Sequence, residues 1–404
     1  MSDPFILGVN YHPRRKAMYW WQRFDAGEVR EEFALIRELG MTTVRIFLLW
    51  DDWQPAPDQV PPQRLTDLRT VADIAAGLGL GLDITFFTGH MSGPNWAPGW
   101  LLGEPAVPTD RQIVSGGRVV DRGYRNFFTD PVALHAERLL LSSVVTELRD
   151  HPGVWMWNLG NEPDLFAWPP DHNAGRAWVR DMVGLIHGLD PVHPVTCGLH
   201  MDSLHRDNGL RVNEVFAETD VAVMHTYPMY TPWARSPLDP DLVPYSCAMV
   251  EALCGKPVLM EEWGGCTAPP GEPSQVWEWE GYGRQMRQFM ASEDDLAAYV
   301  AAVLPRLVAV GATGAMLWCF ADSSPDLWDG PPYRDSRHER FFGLVRPDGS
   351  LKPYAEVVRR FAATHPQIVR PPAVTLAPVD PDAYYRDPTG MLVARYAGFS
   401  AAPG

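Results

Sequence analysis

The chain has 404 residues, 46% hydrophobic and 21% charged, which fits one large α/β domain with ample core. A formal net charge of −16 without a long Lys/Arg run argues against a nucleic-acid or anionic-membrane surface, because counterion release needs clustered cations. Five Cys, an odd number without framework spacing, read as reduced thiols of a cytoplasmic protein; the opening "MSDPFILGVNYHP" lacks the basic and long apolar segments of a signal peptide.

In chain order, β-rich runs alternate eight times with amphipathic helical patterns. The strand candidates are "FILGVNY", "TTVRIFLLW", "LGLDITFFT", "VWMWNLGNEP", "PVTCGLH", "VAVMHTYP", "PVLMEEWG" and "GAMLWCF". Among the helices, "DAGEVREEFALIRELG" has Asp25 as its N-cap and Gly40 as its stop. "PVALHAERLLLSSVVTELRD", "RAWVRDMVGLIHGLD" and "DDLAAYVAAVLPRLVAVG" also repeat apolar residues every three or four positions. Strands apolar on both faces imply a parallel sheet covered by helices. Eight such units, with no Gly-rich phosphate fingerprint after the first strand, predict an α/β fold of the (β/α)8 TIM-barrel type; an open doubly wound sheet is the alternative. Cys197 and Cys319 fall inside apolar runs and are expected in the core.

Three long connections follow strand C-termini, the barrel face on which active sites are built. Residues 89–130 carry "HMSGPNWAPGW", and the segments after the seventh and eighth strands carry "QVWEWEGYG" and "SPDLWDGPPYRD". Their tryptophans, Trp96, Trp100, Trp277 and Trp279, would wall off one end of a cleft, although the 16 Trp of the chain read equally as core filler. The barrel is expected over residues 1–363. Residues 364–404, rich in Pro and Asp, are expected to form a tail packed on it, with a short helix in "PTGMLVARYAGF".

Strand C-termini hold an unusual set of side chains: Arg45, Asn161 with Glu162, His225 with Tyr227, Glu261 with Glu262, and Trp318. Each alone has a structural explanation, as an ion-pair partner or a satisfied core residue. Together they would bury several charges at one rim, which is costly without a purpose. Two carboxylates from non-adjacent strands suit glycoside hydrolysis, where one protonates the leaving oxygen and the other attacks or activates water. A nearby Arg45 keeps a carboxylate ionised, Tyr227 donates to it, and Asn161 binds a substrate hydroxyl. Trp318 supplies a flat floor for a pyranose ring.

"WNLGNEPD", "MHTYP", "LMEEWGG" and "LWCFAD", in this order with Arg45 in "VRIFLLW", resemble glycoside hydrolase family 5 of clan A over about residues 5–363. "NEP" alone is a weak match; five motifs in order are strong together. The resemblance implies that Glu162 is the acid/base and Glu262 the nucleophile, with Arg45, Asn161, His225, Tyr227 and Trp318 in supporting positions. The family's His at the end of the third strand has a counterpart in His90 of "TFFTGHMSG", displaced by a glycine, which fills that place from a shifted backbone or is a loop residue. "GVNYHPRRKAMYWW" and "GHMSGPNW" resemble the family's exo-acting β-mannosidase-like branches, implying a retaining hydrolase that takes a glycoside or oligosaccharide, without cofactor or metal.

Alternation along a strand puts neighbours on opposite faces, so at most one of Glu261 and Glu262 should face the barrel interior unless the strand end bends. The family's nucleophile precedes an aromatic-Gly pair, here Trp263-Gly264, which selects Glu262. Glu261 is left as an ion-pair partner or a contact to a substrate hydroxyl; His90, Trp96, Trp318 and Glu261 form the expected substrate-binding set. The remaining possibilities are β-glucosidase, β-galactosidase or endo-β-mannanase activity on the same fold, a sugar-binding barrel without catalysis, and a metal enzyme. The last lacks any HxH or HExxH spacing.

Overall fold

In the structure, a computed structural model that describes residues 3–401, all eight apolar runs form parallel strands of one sheet. They are β1 (Ile6–Asn10), β2 (Thr43–Leu49), β3 (Gly81–Thr88), β4 (Val154–Asn161), β5 (Val195–Gly198), β6 (Ala222–Thr226), β7 (Val258–Gly264) and β8 (Gly314–Trp318). The neighbours run β5-β4-β3-β2-β1-β8-β7-β6. The ring closes between β5 and β6 through a parallel bridge of His200 with His225, where His225 N donates to Leu199 O at 2.9 Å. This is the (β/α)8 barrel; an open sheet would leave those edges apart.

A helix follows each strand: α1 (Ala26–Glu38), α2 (Pro62–Gly77), α3 (Pro131–Leu148), α4 (His172–Leu189), α5 (Val212–Glu218), α6 (Leu242–Cys254), α7 (Glu293–Ala309) and α8 (Pro353–Ala362). Asp25 caps α1 by accepting from Gly27 N and Glu28 N, a contribution of about 1 kcal/mol, and Gly40 follows its end. α4 begins four residues before the Arg176 start expected from its pattern, because Asp171 caps it through Ala174 N. Cys197 and Cys319 are buried and all five Cys are free. No helix among the described residues is long and apolar enough to cross a membrane.

The three long connections build the rim. After β3, residues Asn95–Trp96, Ile113–Ser115 and Arg118–Val120 form a small sheet. After β7, Gln275–Gly281 and Arg284–Met290 form an antiparallel hairpin. Tyr282 and Gly283, both at positive φ, make its two-residue turn. The segment after β8 lies against that turn: Tyr282 Oη bonds Ser336 Oγ, and Trp279 Nε1 donates to Asp335 O at 2.7 Å.

The C-terminal segment forms the expected helix over Pro388–Tyr396 and packs on the turn Asp202–His205 after β5 and on α6. Tyr384 Oη donates to Leu204 O at 2.6 Å, Tyr385 Oη to Ser203 O at 3.0 Å and Tyr245 Oη to Leu392 O at 2.5 Å. Residues 1–2 and 402–404, the outer ends of the expected barrel and tail, lie outside the described residues.

Candidate active site

The strand ends converge on a cavity of about 700 Å³ at the C-terminal face of the barrel. Extra residues interrupt regular pairing at the ends of three of the strands that build it. Two residues of β2 face three of β3, two of β5 face three of β4, and Glu261 is an extra residue in β7 between Met260 and Glu262 opposite β6. Such bulges re-aim side chains. In β7 the bulge breaks alternation, and both neighbouring glutamates reach groups inside the barrel. Glu162, just past β4, has a left-handed backbone (φ 49°), which turns its carboxyl toward the same space.

Glu162 and Glu262 both line the cavity. His225 Nδ1 lies 3.0 Å from Glu162 Oε1 and 3.6 Å from Glu262 Oε2. Tyr227 Oη donates to Glu262 Oε1 at 2.7 Å, and Arg45 Nη1 donates to Glu262 Oε2 at 3.2 Å. Asn161 Nδ2 donates to the His90 carbonyl at 2.9 Å, while its buried Oδ1 has no hydrogen-bond partner among the described residues. His90 lines the cavity with Nε2 3.6 Å from Glu162 Oε2, and its Nδ1 lies 2.7 Å from Asn95 Oδ1. Trp318 lines the cavity beside Phe342 and Tyr227.

Two of the expected substrate contacts are not there. Glu261 is fully buried and absent from the cavity wall; Asn158 Nδ2 and His225 Nε2 each lie 3.0 Å from its oxygens, and Arg45 Nη2 lies 3.4 Å away. It is the ion-pair partner, one level below the cavity. Gly198 leaves room for this, since a Cβ there would stand 2.7 Å from Arg45 Nη2 and 2.9 Å from Glu261 Oε2. Trp96 is also buried away from the cavity, with Nε1 donating to Met91 O at 3.1 Å. Trp100, Trp277 and Trp279 do not line it either: they pack the loops together. Flexible rim loops need apolar anchors of their own, and indoles supply them.

The charges divide into two levels. Below, burial opposes the charge of Arg45, but the neighbouring carboxylates, Glu261 foremost, outweigh it and stabilise the guanidinium. Burial, reinforced by the charge of Glu261, keeps Asp83 protonated. Above, burial disfavours a charged His225, yet Glu262, Glu162 and Glu261 raise it to about 10, so it is an imidazolium at neutral pH. Burial and the charge of Glu162 raise Glu262 to about 7 against the pull of His225 and Arg45. For Glu162, burial is outweighed by His200, His225 and His90, which hold it below the ordinary carboxylate range. The pair therefore carries one proton up to about pH 7.

Glu162, His225 and Glu262 each offer one ligand atom within 4.8 Å of the others, spacing that a metal ion would accept. A metal there would have to displace the His225 proton, which the surrounding carboxylates hold strongly. Proton chemistry fits the donor set better.

Sequence reading missed several wall residues. His200 follows β5 as His225 ends β6, and its Nδ1 accepts from Asp202 N at 3.1 Å, which leaves Nε2–H for the cavity. The strand-end His was the available signal. Glu339, His338, Tyr230, Trp233 and Ser336 also line the cavity from loops, where polar and aromatic residues give no signal of their own. Gly93 (φ 105°) lies where a Cβ would strike Ser336 Oγ and approach Tyr282 Oη to 2.9 Å, so three loops meet there in a tight seam.

A family model, glycosyl hydrolases family 2, TIM barrel domain, matches residues 106–282. A probable mannan endo-1,4-beta-mannosidase C of Aspergillus terreus is 29% identical over 163 residues, 35% of this chain and 39% of that protein. Mannan endo-1,4-beta-mannosidase 8 of Oryza sativa subsp. japonica is 28% identical over 82 residues, 18% of this chain and 22% of its own length. The matches thus span well under half of these curated relatives. Among solved structures, an exo-beta-1,4-mannosidase, Op5Man5 of Opitutaceae bacterium strain TAV5, is 26% identical with a TM-score of 0.72, covering 90% of this chain and 60% of that one. A GH5_18 variant from Streptomyces cattleya in complex with Manb1-4GlcNAc is 21% identical with a TM-score of 0.76, over 98% of this chain and 91% of that one. The chain resembles glycoside hydrolase family 5, its exo-acting β-mannosidase-like branches included.

Proposed function

We propose that the chain is a retaining glycoside hydrolase acting on β-linked sugars, and that its activity is that of an exo-β-mannosidase. The observation that carries this reading is the carboxylate pair: an oxygen of Glu162 and one of Glu262 lie within 4.8 Å of each other on either side of His225. Retaining enzymes hold their two carboxyl groups about 5–5.5 Å apart and inverting ones about 6.5–9.5 Å, so the close spacing favours double displacement. The names of the relatives, mannosidases in both the curated and the structural sets, favour a mannoside. Residues 1–363 then form the catalytic barrel, with 364–404 as a tail packed on it.

In this reading Glu262 attacks the anomeric carbon while Glu162 protonates the leaving oxygen, and Glu162 then deprotonates water for the second displacement. The acid step needs the pair's one proton on Glu162. His225 Nδ1, 3.0 Å from Glu162 and 3.6 Å from Glu262, lies beside both carboxylates. A glycosidic oxygen beside Glu162 and positive charge developing above Glu262 draw the shared proton to Glu162. Tyr227 remains a donor to Glu262, because burial and the charge of Glu262 keep its hydroxyl protonated. Asn161, which lines the cavity beside Glu162, binds the sugar 2-hydroxyl.

Hydrolysis of p-nitrophenyl β-mannoside in preference to the β-glucoside and β-galactoside, with single mannose units released from manno-oligosaccharides, is the expected result. No hydrolysis of any of the three rejects the glycosidase reading. Endo cleavage is the second reading, favoured by the names of the curated relatives; it would release oligosaccharides before mannose.

A further inference from the structure

A third carboxyl group lines the cavity without a part in the chemistry above. Glu339 belongs to the turn Arg337–Phe341 after β8, and its side chain is 9% exposed. Tyr230 Oη donates to its Oε1 at 3.4 Å, and Ser92 and Trp318 are polar neighbours that favour its charged form against burial. His338 stands next to it, with Nε2 3.5 Å from Oε1. The His338 ring is also buried and lines the cavity, and its Nδ1 has no hydrogen-bond partner among the described residues.

We propose that Glu339, with His338 beside it, binds hydroxyls of the terminal sugar lying over Trp318 and thereby determines which glycone is accepted. The proposal rests on the glycosidase reading for the direction in which the sugar lies. Glu162 protonates the departing oxygen, so the leaving group extends toward His200 and Trp233 on the Glu162 side of the cavity. The retained sugar lies on the opposite side, over Trp318, which Glu339 neighbours on the cavity wall.

The chemistry of the two side chains selects a neutral hydroxyl. Burial, with the charge of Glu262 adding to it, raises the Glu339 carboxyl to about 8, so it holds its proton at neutral pH. Tyr230 occupies an acceptor position from the wall, leaving the carboxyl's own O–H to be satisfied from the cavity side. Burial lowers His338 to about 3, so it is a neutral imidazole and not a counter-ion. A sugar hydroxyl accepts from the neutral O–H of Glu339, while neither side chain offers a charge to an anion or a cation.

The test compares wild type and Glu339→Gln on p-nitrophenyl β-mannoside and its 3-, 4- and 6-deoxy analogues. Wild type is expected to lose about 10- to 100-fold in kcat/KM on the analogue lacking the bound hydroxyl. Glu339→Gln should lose a similar factor on the parent glycoside and little more on that analogue. An equal loss by the variant on all four substrates, or no loss on any, overturns the proposal. Where circular dichroism finds the variant unfolded, the wild-type series decides, and losses under about 3-fold on all three analogues reject the assignment. Where wild type hydrolyses nothing, the glycosidase reading has failed. Calorimetric titration of methyl β-mannoside and its deoxy forms into both proteins then decides the role of Glu339 by the same coupling.

Discussion

Two levels of carboxyl groups, which contribute the chain neighbours Glu261 and Glu262, behave differently. The lower one, Glu261 with Asp83, is fully buried and meets Arg45, His225 and Asn158 without touching the cavity. The upper one, Glu162 with Glu262, shares some of the same cations but opens onto the cavity and holds one proton between two groups. Residue type does not distinguish the levels. Access does: the lower level is an internal ion network around Arg45, and the upper level faces the cavity. Sites arranged for chemistry commonly cost stability that the surrounding structure supplies.

The sharpest way to break this contrast is to remove one member from each level. Glu262→Gly should lower turnover about 10⁴-fold or more while leaving the protein folded, and azide should restore part of the rate as an α-glycosyl azide. Retained turnover would dissolve the division. Glu261→Gln should do the reverse in kind, lowering the unfolding free energy in urea by about 3 kcal/mol, because it leaves Arg45 and His225 short of a buried counter-charge. Unchanged stability would mean that the lower level is not a structural network.

The smallest effect concerns pH. The upper pair shares one proton that leaves at about 7, and the proton donor is lost with it. Thus kcat/KM should be level below that point and fall about tenfold per pH unit above it. A profile flat to pH 9 would show that the shared proton is not the one used.

Most of the barrel was legible, because apolar runs ending in polar residues have few alternatives to a buried strand that opens at one face. The convergence of Arg45, Asn161, Glu162, His225, Tyr227, Glu262 and Trp318 followed from those ends. The relation of Glu261 to Glu262 was not legible, since a bulge inserts one residue in register and register belongs to the neighbours, not to the strand. Asp83 was visible as the lone charge in "LGLDITFFT" and sits opposite Arg45 across β2 and β3, a pairing that only the assembled sheet reveals. Glu339 lies in "DSRHERFF", where a charged residue is what any exposed loop would carry. Its burial comes from Ser92, Tyr230 and Trp318, far away in sequence. The loop tryptophans misled for a related reason: an indole serves a loop interior as well as a ligand.

The seam at Gly93 shows how the rim of the cavity is held together. Position 93 admits no side chain beyond hydrogen while Ser336 and Tyr282 stay where they are, and its backbone takes a conformation that other residues rarely adopt. A methyl group there would push aside the Ser336 and Tyr282 hydroxyls, which bond each other. The fit of the loops after β3, β7 and β8 thus turns on one hydrogen atom far from the carboxylates in sequence.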